Sequence, residues 1–279
     1  GGTGKTSIMG AFAYLSENKV LCDADVDAAD LHLLTAPSVQ QRHDFQSGHT
    51  AVINKDGCTA CGMCIDLCRW EAIDDEFVVD PIACEGCGVC VYFCPEKTIE
   101  FPLNTCGEWY LSQTRFGPMV HARLGIAEEN SGKLVSLVRS EARKLAEQKK
   151  LDLILTDGPP GVGCPVIAAI GGADSVLAVT EPSVSGIHDL KRVCELAEHF
   201  KIPAMVCVNK FDLNVTLTAE IEAYAKTKGI ACLGRIPFDP AFTHAMVQAK
   251  TIFEYEPAAA SGIAIKNIWA KILKRFEAI

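Results

Sequence analysis

The chain opens with Gly1-Gly2-Thr3-Gly4-Lys5-Thr6-Ser7, and the reading of this stretch decides the fold. Glycines let the backbone bend tightly enough for several N–H groups to face one anion. The lysine adds a point charge for the outer phosphates of a nucleotide, and the hydroxyl that follows suits Mg²⁺. Residues 8–16 continue as a helix, so its positive dipole end lies under the phosphates. The alternative for so short a pattern is a glycine-rich turn before a helix, and three later segments that fit the same site weigh against it. Residue 1 already lies inside the loop, and the full pattern G-x-x-x-x-G-K-[ST] begins further upstream. The expectation is therefore that the sequence is truncated at its N-terminus and that a preceding strand belongs in the middle of the sheet.

Working outward, 279 residues suffice for a large core, either as one domain or as a domain with an insertion. A formal charge of −9 argues against a nucleic-acid binder driven by phosphate contacts. No apolar run reaches the ~18 residues of a membrane span, and no signal peptide is visible. Of the fourteen cysteines, eight fall in two tight metal-type runs. Beside a nucleotide loop, these point to a reducing cytoplasm rather than a disulfide scaffold.

Val20-Leu21-Cys22 reads as a short strand ending in Asp23-Ala24-Asp25-Val26-Asp27. Acids at the carboxyl end of a strand beside such a loop can reach a metal or an attacking water. Leu151–Asp157 is a second strand ending in an acid, the form of a Walker B motif, followed by the stiff turn Gly158-Pro159-Pro160-Gly161. Three strand–helix units follow: 175–180 with 186–200, 204–208 with 216–228, and 230–236 with a closing helix at 260–276. Apolar strands alternating with helices predict an α/β fold, a parallel sheet covered on both faces. Asn209-Lys210-x-Asp212 ends the 204–208 strand; an asparagine there can read a purine edge, and the run by itself suggests guanine. Residues 35–53 lose periodicity and mark the border of an insertion, with His43 and His49 expected at the surface.

The insertion is an internal repeat. Cys58, Cys61, Cys64 and Cys68 recur as Cys84, Cys87, Cys90 and Cys94, each 26 positions on, and Pro95 follows the second run. Thiolates spaced C-x₂-C-x₂-C-x₃-C wrap one cuboidal iron–sulfur cluster with three ligands and lend the fourth to the other cluster. One [4Fe-4S] cluster is thus expected on Cys58, Cys61, Cys64 and Cys94, the other on Cys84, Cys87, Cys90 and Cys68. Zinc is the rival for four thiolates, although its sites use pairs of cysteines. Ile73 and Ile99 occupy equivalent repeat positions and are expected to pack against the clusters. Arg69 stands where the repeat would place a proline.

Together these segments resemble the MinD/ParA/Mrp class of deviant P-loop ATPases, which includes the nitrogenase iron protein. More narrowly, the chain is similar to MinD-superfamily ATPases carrying an inserted bacterial-type dicluster ferredoxin domain. The resemblance runs through GGTGKTS, DADVDAADLHLL, the twin cysteine runs, DGPPGVGCPV, TEPSVSGIHDL, VNKFDLN and GRIPFDPAF. It implies a P-loop ATPase domain over residues 1–45 and 104–279, interrupted by a two-cluster domain over 46–103. ATP phosphates would lie on Gly1, Gly2, Thr3, Gly4, Lys5, Thr6 and Ser7, with Thr6 on Mg²⁺. Asp25 would position the hydrolytic water, Asp157 would hold Mg²⁺ through a water, and Asn209 with Pro237 would line the adenine pocket. The family's signature lysine, which reaches a partner's phosphate across an ATP-sandwiched dimer, is absent from this sequence.

The function so implied is a cytoplasmic iron–sulfur ATPase. It would form a homodimer, or a heterodimer with a paralogue, and switch with nucleotide while exchanging electrons or clusters with a redox or iron–sulfur partner. The alternative is a MinD-like positioning ATPase whose insert only docks a partner. Its basis is the last helix, where Ile265, Ile268, Trp269, Ile272 and Phe276 share one face flanked by Lys266, Lys271, Lys274 and Arg275. Such a face either lies on a membrane or docks on the sheet, and docking is the expected arrangement. No catalytic constellation for an amide-forming ligase is present.

Overall fold

The structure, a computed structural model, describes residues 2–125 and 130–277. In chain order the first elements are α1 (Lys5–Leu15), β1 (Lys19–Asp23), α2 (Leu31–Thr35), β2 (Ser38–His49) and β3 (Val52–Ile53). Next come α3 (Met63–Leu67), α4 (Val89–Phe93), β4 (Ile99–Glu100), β5 (Leu103–Thr114), β6 (Gly117–Leu124) and α5 (Ser131–Lys149). The remainder runs β7 (Leu153–Asp157), α6 (Cys164–Ile170), β8 (Val176–Thr180), α7 (Val184–His199), β9 (Ala204–Asn209) and α8 (Val215–Thr227). It ends with β10 (Ala231–Ile236), α9 (Ala241–Val247), α10 (Ile252–Tyr255) and α11 (Ala260–Phe276).

The chain divides into two compact units. One comprises Gly1–Arg42, Trp109–Arg123 and Ser131–Ile279; the other comprises His43–Glu108 and Leu124–Asn130. The sequence reading placed these borders at 45/46 and 103/104. The difference arises because β2 and β5 are twelve-residue strands that run past both positions. Much of β2 is exposed and it lies at a sheet edge, so it shows no apolar alternation and reads as aperiodic.

Hydrogen bonding orders one sheet as β2-β5-β6-β1-β7 and a second as β10-β9-β8. β1 is parallel to β6 and β7, and β9 is parallel to β8 and β10. The expected wholly parallel sheet is corrected to a mixed one. β5 and β6 are joined by the two residues Arg115-Phe116, a link too short for anything but an antiparallel hairpin.

Helix α1 is apolar over two adjoining faces: Ile8 and Phe12 lie one turn apart on one, and Met9 and Ala13, about 100° further round, on the other. The first face enters a core with Met205, Cys207, Leu233, Ile252, Ile265 and Ile268. The second packs with Leu21, Leu31 and Met119. A helix buried on two faces is fixed in rotation and depth, which sets the position of the loop at its N-terminus. Helix α11 turns Ile265, Ile268, Trp269 and Ile272 into the first of these cores, where the Trp269 ring lies 4.9 Å from Phe12. Four residues of its apolar stripe are thus buried, whereas Phe276, which the sequence places with them, is 41% exposed. Among the described residues, no helix is long and apolar enough to cross a membrane.

The second unit is built twice. Helices α3 and α4 are offset by the 26-residue repeat. So are the pairings Ile53↔Ile99 and Val79↔Ile73, in which the repeats exchange partners. Its buried apolar cluster is small: Ala51, Cys64, Ile73 and Ile99, with Ile53, Phe77, Val79 and Phe101 partly buried against them. His49 is not the surface residue the sequence suggested. It stacks on Phe101 at 4.6 Å, and its Nδ1 lies 2.8 Å from the Phe101 carbonyl.

Because Phe12 joins α1 to α11, Phe12→Ala is expected to destabilise the first unit by about 3–5 kcal/mol. Urea unfolding followed by far-UV circular dichroism measures this; a change under 1 kcal/mol would show that α1 is not held by this contact.

Candidate functional site

Gly4 sits at φ +86°, a left-handed conformation that glycine adopts without cost, and it leads directly into α1. A Cβ at Gly4 would lie 2.5 Å from Asn209 Nδ2, so the loop passes against this side chain with no room to spare. Lys5 and Thr6 open the helix, and the Thr6 hydroxyl lies close enough to the carboxylate of Asp157, at the end of β7, to favour its charged form. Gly1 lies outside the described residues.

Asp157 and Asp23 are register partners at the ends of β7 and β1, and both carboxylates are buried. Burial pushes Asp157 up to about 6, opposed by the Thr6 hydroxyl and Lys5. Asp23 is pushed well above the usual carboxylate range, by burial and then by the charge of Asp157. Burial also raises Asp25, against the attraction of Lys5. Hard oxygen donors crowded at a site short of positive charge fit a divalent cation of the Mg²⁺ type, so Thr6 and Asp157 suit the metal role.

The sequence reading gave Asp23 no separate role. It accepts hydrogen bonds from the Asp25 N–H (3.2 Å) and the Leu31 N–H (3.3 Å), and so spans and shapes the segment that carries Asp25. The signal was present in the pair of acids two apart at the end of a wholly buried strand.

Each named member of the Asn209-Lys210-x-Asp212 run fixes backbone. Asn209 Nδ2 donates to the Thr3 carbonyl (2.8 Å), and its Oδ1 accepts from the Lys210 N–H (3.0 Å). Lys210 Nζ donates to the Gly2 carbonyl (2.8 Å) and pairs with Glu181 (2.8 Å). Asp212 Oδ1 accepts from the Phe238 N–H (2.7 Å), just beyond half-buried Pro237, which follows β10. Glu181 was missed because an acid after an apolar strand carries no motif until its partner is known. With Asp212 committed to the 237–238 backbone, the run need not read guanine.

In the second unit the eight repeat cysteines line two cavities. Cys58, Cys61, Cys64 and Cys94 border one, with Ile53 and Ile99. Cys68, Cys84, Cys87 and Cys90 border the other, with Ile73 and Val79. Burial raises Cys64, which is crowded by Cys58 and Cys61, and raises Cys90, which is crowded by Cys84, Cys87 and Cys64. At Cys94 burial acts upward, but hydrogen bonds from Thr98 and the backbone at Glu96 and Lys97 outweigh it. The Ala72 N–H donates to Cys68 Sγ at 3.4 Å. Among the described residues, no three His, Cys, Asp or Glu side chains are grouped in a way that could hold a single metal ion. The thiols surround voids rather than a point. Of the remaining cysteines, Cys106 is buried and donates to the Ser47 carbonyl, Cys194 and Cys207 lie in cores, and Cys164 is exposed.

A glycine-rich loop capping a doubly buried helix, with a hydroxyl–carboxylate pair at the adjoining strand end, defines a nucleotide-binding protein of the P-loop class. The family described as the CobQ/CobB/MinD/ParA nucleotide binding domain (CbiA) matches residues 1–252, and the chain belongs to it. It is a P-loop ATPase of the MinD/ParA type. The uncharacterized protein MJ0578 of Methanocaldococcus jannaschii is 35% identical over 217 residues, covering 77% of this chain and 76% of the relative. The uncharacterized protein MJ0579 of the same organism is 24% identical over 246 residues, covering 77% of this chain and 78% of the relative. Among solved structures, the cell division ATPase MinD of Pyrococcus furiosus matches with a TM-score of 0.57 at 17% identity, over 98% of this chain and 94% of that one. The MinC:MinD complex of Aquifex aeolicus matches at 0.58 and 17%, over 98% and 92%.

Two predictions follow from the geometry of this site. An acid whose folded pKa is raised stabilises the fold while it stays protonated and loses that contribution as pH climbs through the folded value. In nucleotide- and metal-free protein, the Asp157 contribution should therefore fall away between pH 4 and about 6. Asp157→Asn should flatten this slope and raise stability at pH 8 by about 1–3 kcal/mol, while Mg²⁺-dependent hydrolysis falls; urea midpoints at pH 5 and 8 test it.

The second concerns Asp212. Asp212→Asn keeps an oxygen to accept from the Phe238 N–H and should retain ATP affinity, whereas Asp212→Ala should weaken it about tenfold. Titration with fluorescent ATP and GTP analogues distinguishes this from guanine reading, in which the wild type prefers GTP and Asp212→Asn abolishes that preference.

Proposed function

We propose that this ATPase is an iron–sulfur protein in which nucleotide turnover is coupled to electron transfer, or to cluster delivery, through two [4Fe-4S] clusters. The observation that carries the reading is the crossed partition of thiols: three from one run and the last of the other at each cavity. That is the ligand division of two-cluster ferredoxins. The assignment places residues 46–103 as the inserted cluster domain. When bound, each cluster supplies one-electron storage and transfer. The chain's own contribution is to set its surroundings: apolar walls from Ile53, Ile73, Val79 and Ile99, and N–H and hydroxyl donors at Cys68 and Cys94.

In the ATPase unit, the loop from Gly2 to Ser7 cradles the phosphates, Lys5 balances outer-phosphate charge, and Thr6 with Asp157 holds Mg²⁺. Asp25 orients the hydrolytic water, and Asn209 and Pro237 stand on the adenine side. Loss of the γ-phosphate releases contacts at the 25–31 segment and after Asp157. The 25–31 segment leads through α2 into β2 and so, along the chain, to the thiol-bearing unit. The working form on this reading is an ATP-closed homodimer, or heterodimer with a paralogue, in a reducing cytoplasm. A MinD-like positioning role is the second reading, favoured by the resemblance to MinD folds. Burial of Ile265, Ile268, Trp269 and Ile272 on α11 counts against the membrane-surface helix on which that reading leaned.

Anaerobically purified protein should contain about eight iron atoms per chain, and Cys61→Ser should lose or convert one cluster while the other remains. MgATP, unlike MgADP, should shift the cluster potential by a few tens of millivolts, consistent with a coupling of about 1–3 kcal/mol. Stoichiometric zinc without iron-based visible absorption would overturn the cluster reading. Overlapping titrations in the two nucleotides, with iron present, would leave the insert as a docking module.

A further inference from the structure

The charge of the chain is distributed unevenly. Residues 43–108 hold twelve Asp or Glu against three Lys or Arg, a formal charge of −9 that equals the total for the chain, so the remaining residues balance. A field of this size around one unit attracts partners of opposite sign and steers their approach. The same repulsion argues against nucleic acid as the occupant.

The repeat shows which end of the unit is specialised. Positions 26 apart are structurally equivalent, yet Trp70 stands opposite Glu96, and Arg69 opposite Pro95. Trp70 borders the cavity of Cys68, Cys84, Cys87 and Cys90 and is nevertheless 53% exposed, with Leu67 beside that cavity 38% exposed. Glu85 lines the same cavity, and Glu71 follows Trp70 in the chain. The equivalent position at the other cavity carries the carboxylate of Glu96 instead of an indole. A half-exposed tryptophan between Arg69 and Glu71, with Glu85 at the same cavity in a unit of strongly negative charge, is the composition of an interface anchor: the indole supplies short-range contact and the surplus of acids supplies orientation.

We propose that the surface around Trp70 is the docking site for a redox protein with a basic face, which exchanges electrons through the Cys68–Cys84–Cys87–Cys90 cavity. This rests on the cluster reading given above. The transfer moves one electron between this site and the partner's redox centre, one side oxidised and the other reduced, with no bond made or broken.

The test uses the full chain, purified anaerobically with iron content and visible spectrum recorded for every sample. Cytochrome c serves as the basic probe, and its lysine-acetylated form as the charge-neutralised comparison. Carbodiimide cross-linking mapped by mass spectrometry should join probe lysines to Glu71 and Glu85. Binding should weaken at least tenfold between about 20 and 200 mM salt, and acetylation should remove it. Trp70→Ala should weaken binding about tenfold. Tyr92→Ala, which removes an aromatic 82% exposed but bordering neither cavity, should leave it unchanged. Glu85→Gln tests the surface with Trp70 intact and should weaken binding several-fold. Cross-links concentrated on other carboxylates, or equal losses in the Trp70 and Tyr92 variants, would overturn the proposal in iron-replete protein. Protein without iron would instead mark failure of the cluster reading.

Discussion

The nucleotide site depends on α1 being packed into two separate cores through two adjoining faces. A loop that binds an anion with backbone N–H groups gains strength from preorganisation, and those groups are only as fixed as the helix behind them. Ile8 and Phe12 on one face, and Met9 and Ala13 on the next, leave that helix no freedom to roll. Asn209 and Lys210 then hold the Thr3 and Gly2 carbonyls from the end of β9, so the loop is gripped from the helix and from a strand. The closeness of Asn209 to Gly4 explains why a residue without Cβ stands there.

Against this rigid loop lies a group of carboxylates that the protein holds at an electrostatic cost. Asp23 and Asp157 are buried side by side at adjacent strand ends; burial raises the proton affinity of both, and the charge of Asp157 raises that of Asp23 further. A fold optimised for stability alone would place apolar residues at these positions. Their retention makes sense if a cation relieves them and if Asp23 earns its place by shaping the segment bearing Asp25. The nucleotide site is thus stable on its loop side and poised on its acid side.

The second unit is organised by a different constraint. Its buried apolar cluster is a handful of residues, and five of the fourteen side chains that meet there or pack against it are cysteines. So small a core gives little stability without cross-links or metal. The twofold internal repeat supplies eight thiols in two equivalent sets. The departures from the repeat, at Arg69 and Trp70, are where the two halves acquire different surfaces.

Much of this was legible in the sequence because it depends on short-range chemistry. The loop, the acid-ended strands, the 26-residue repeat and the helices of the C-terminal half all follow from spacing and periodicity, and α7, α8 and α11 fall where the pattern puts them. What the sequence did not reveal depends on partners distant along the chain. Strand β2 looked aperiodic because an edge, solvated strand need not alternate. The roles of Asp23, Glu181 and Asp212 became visible only when folding brought them to the N–H groups and the lysine that they hold. Residue type fixed which groups could bind phosphate, metal or sulfur. Tertiary structure decided which of them share a cavity and which are spent on holding backbone, because a hydrogen bond across the fold leaves no periodic trace in the chain.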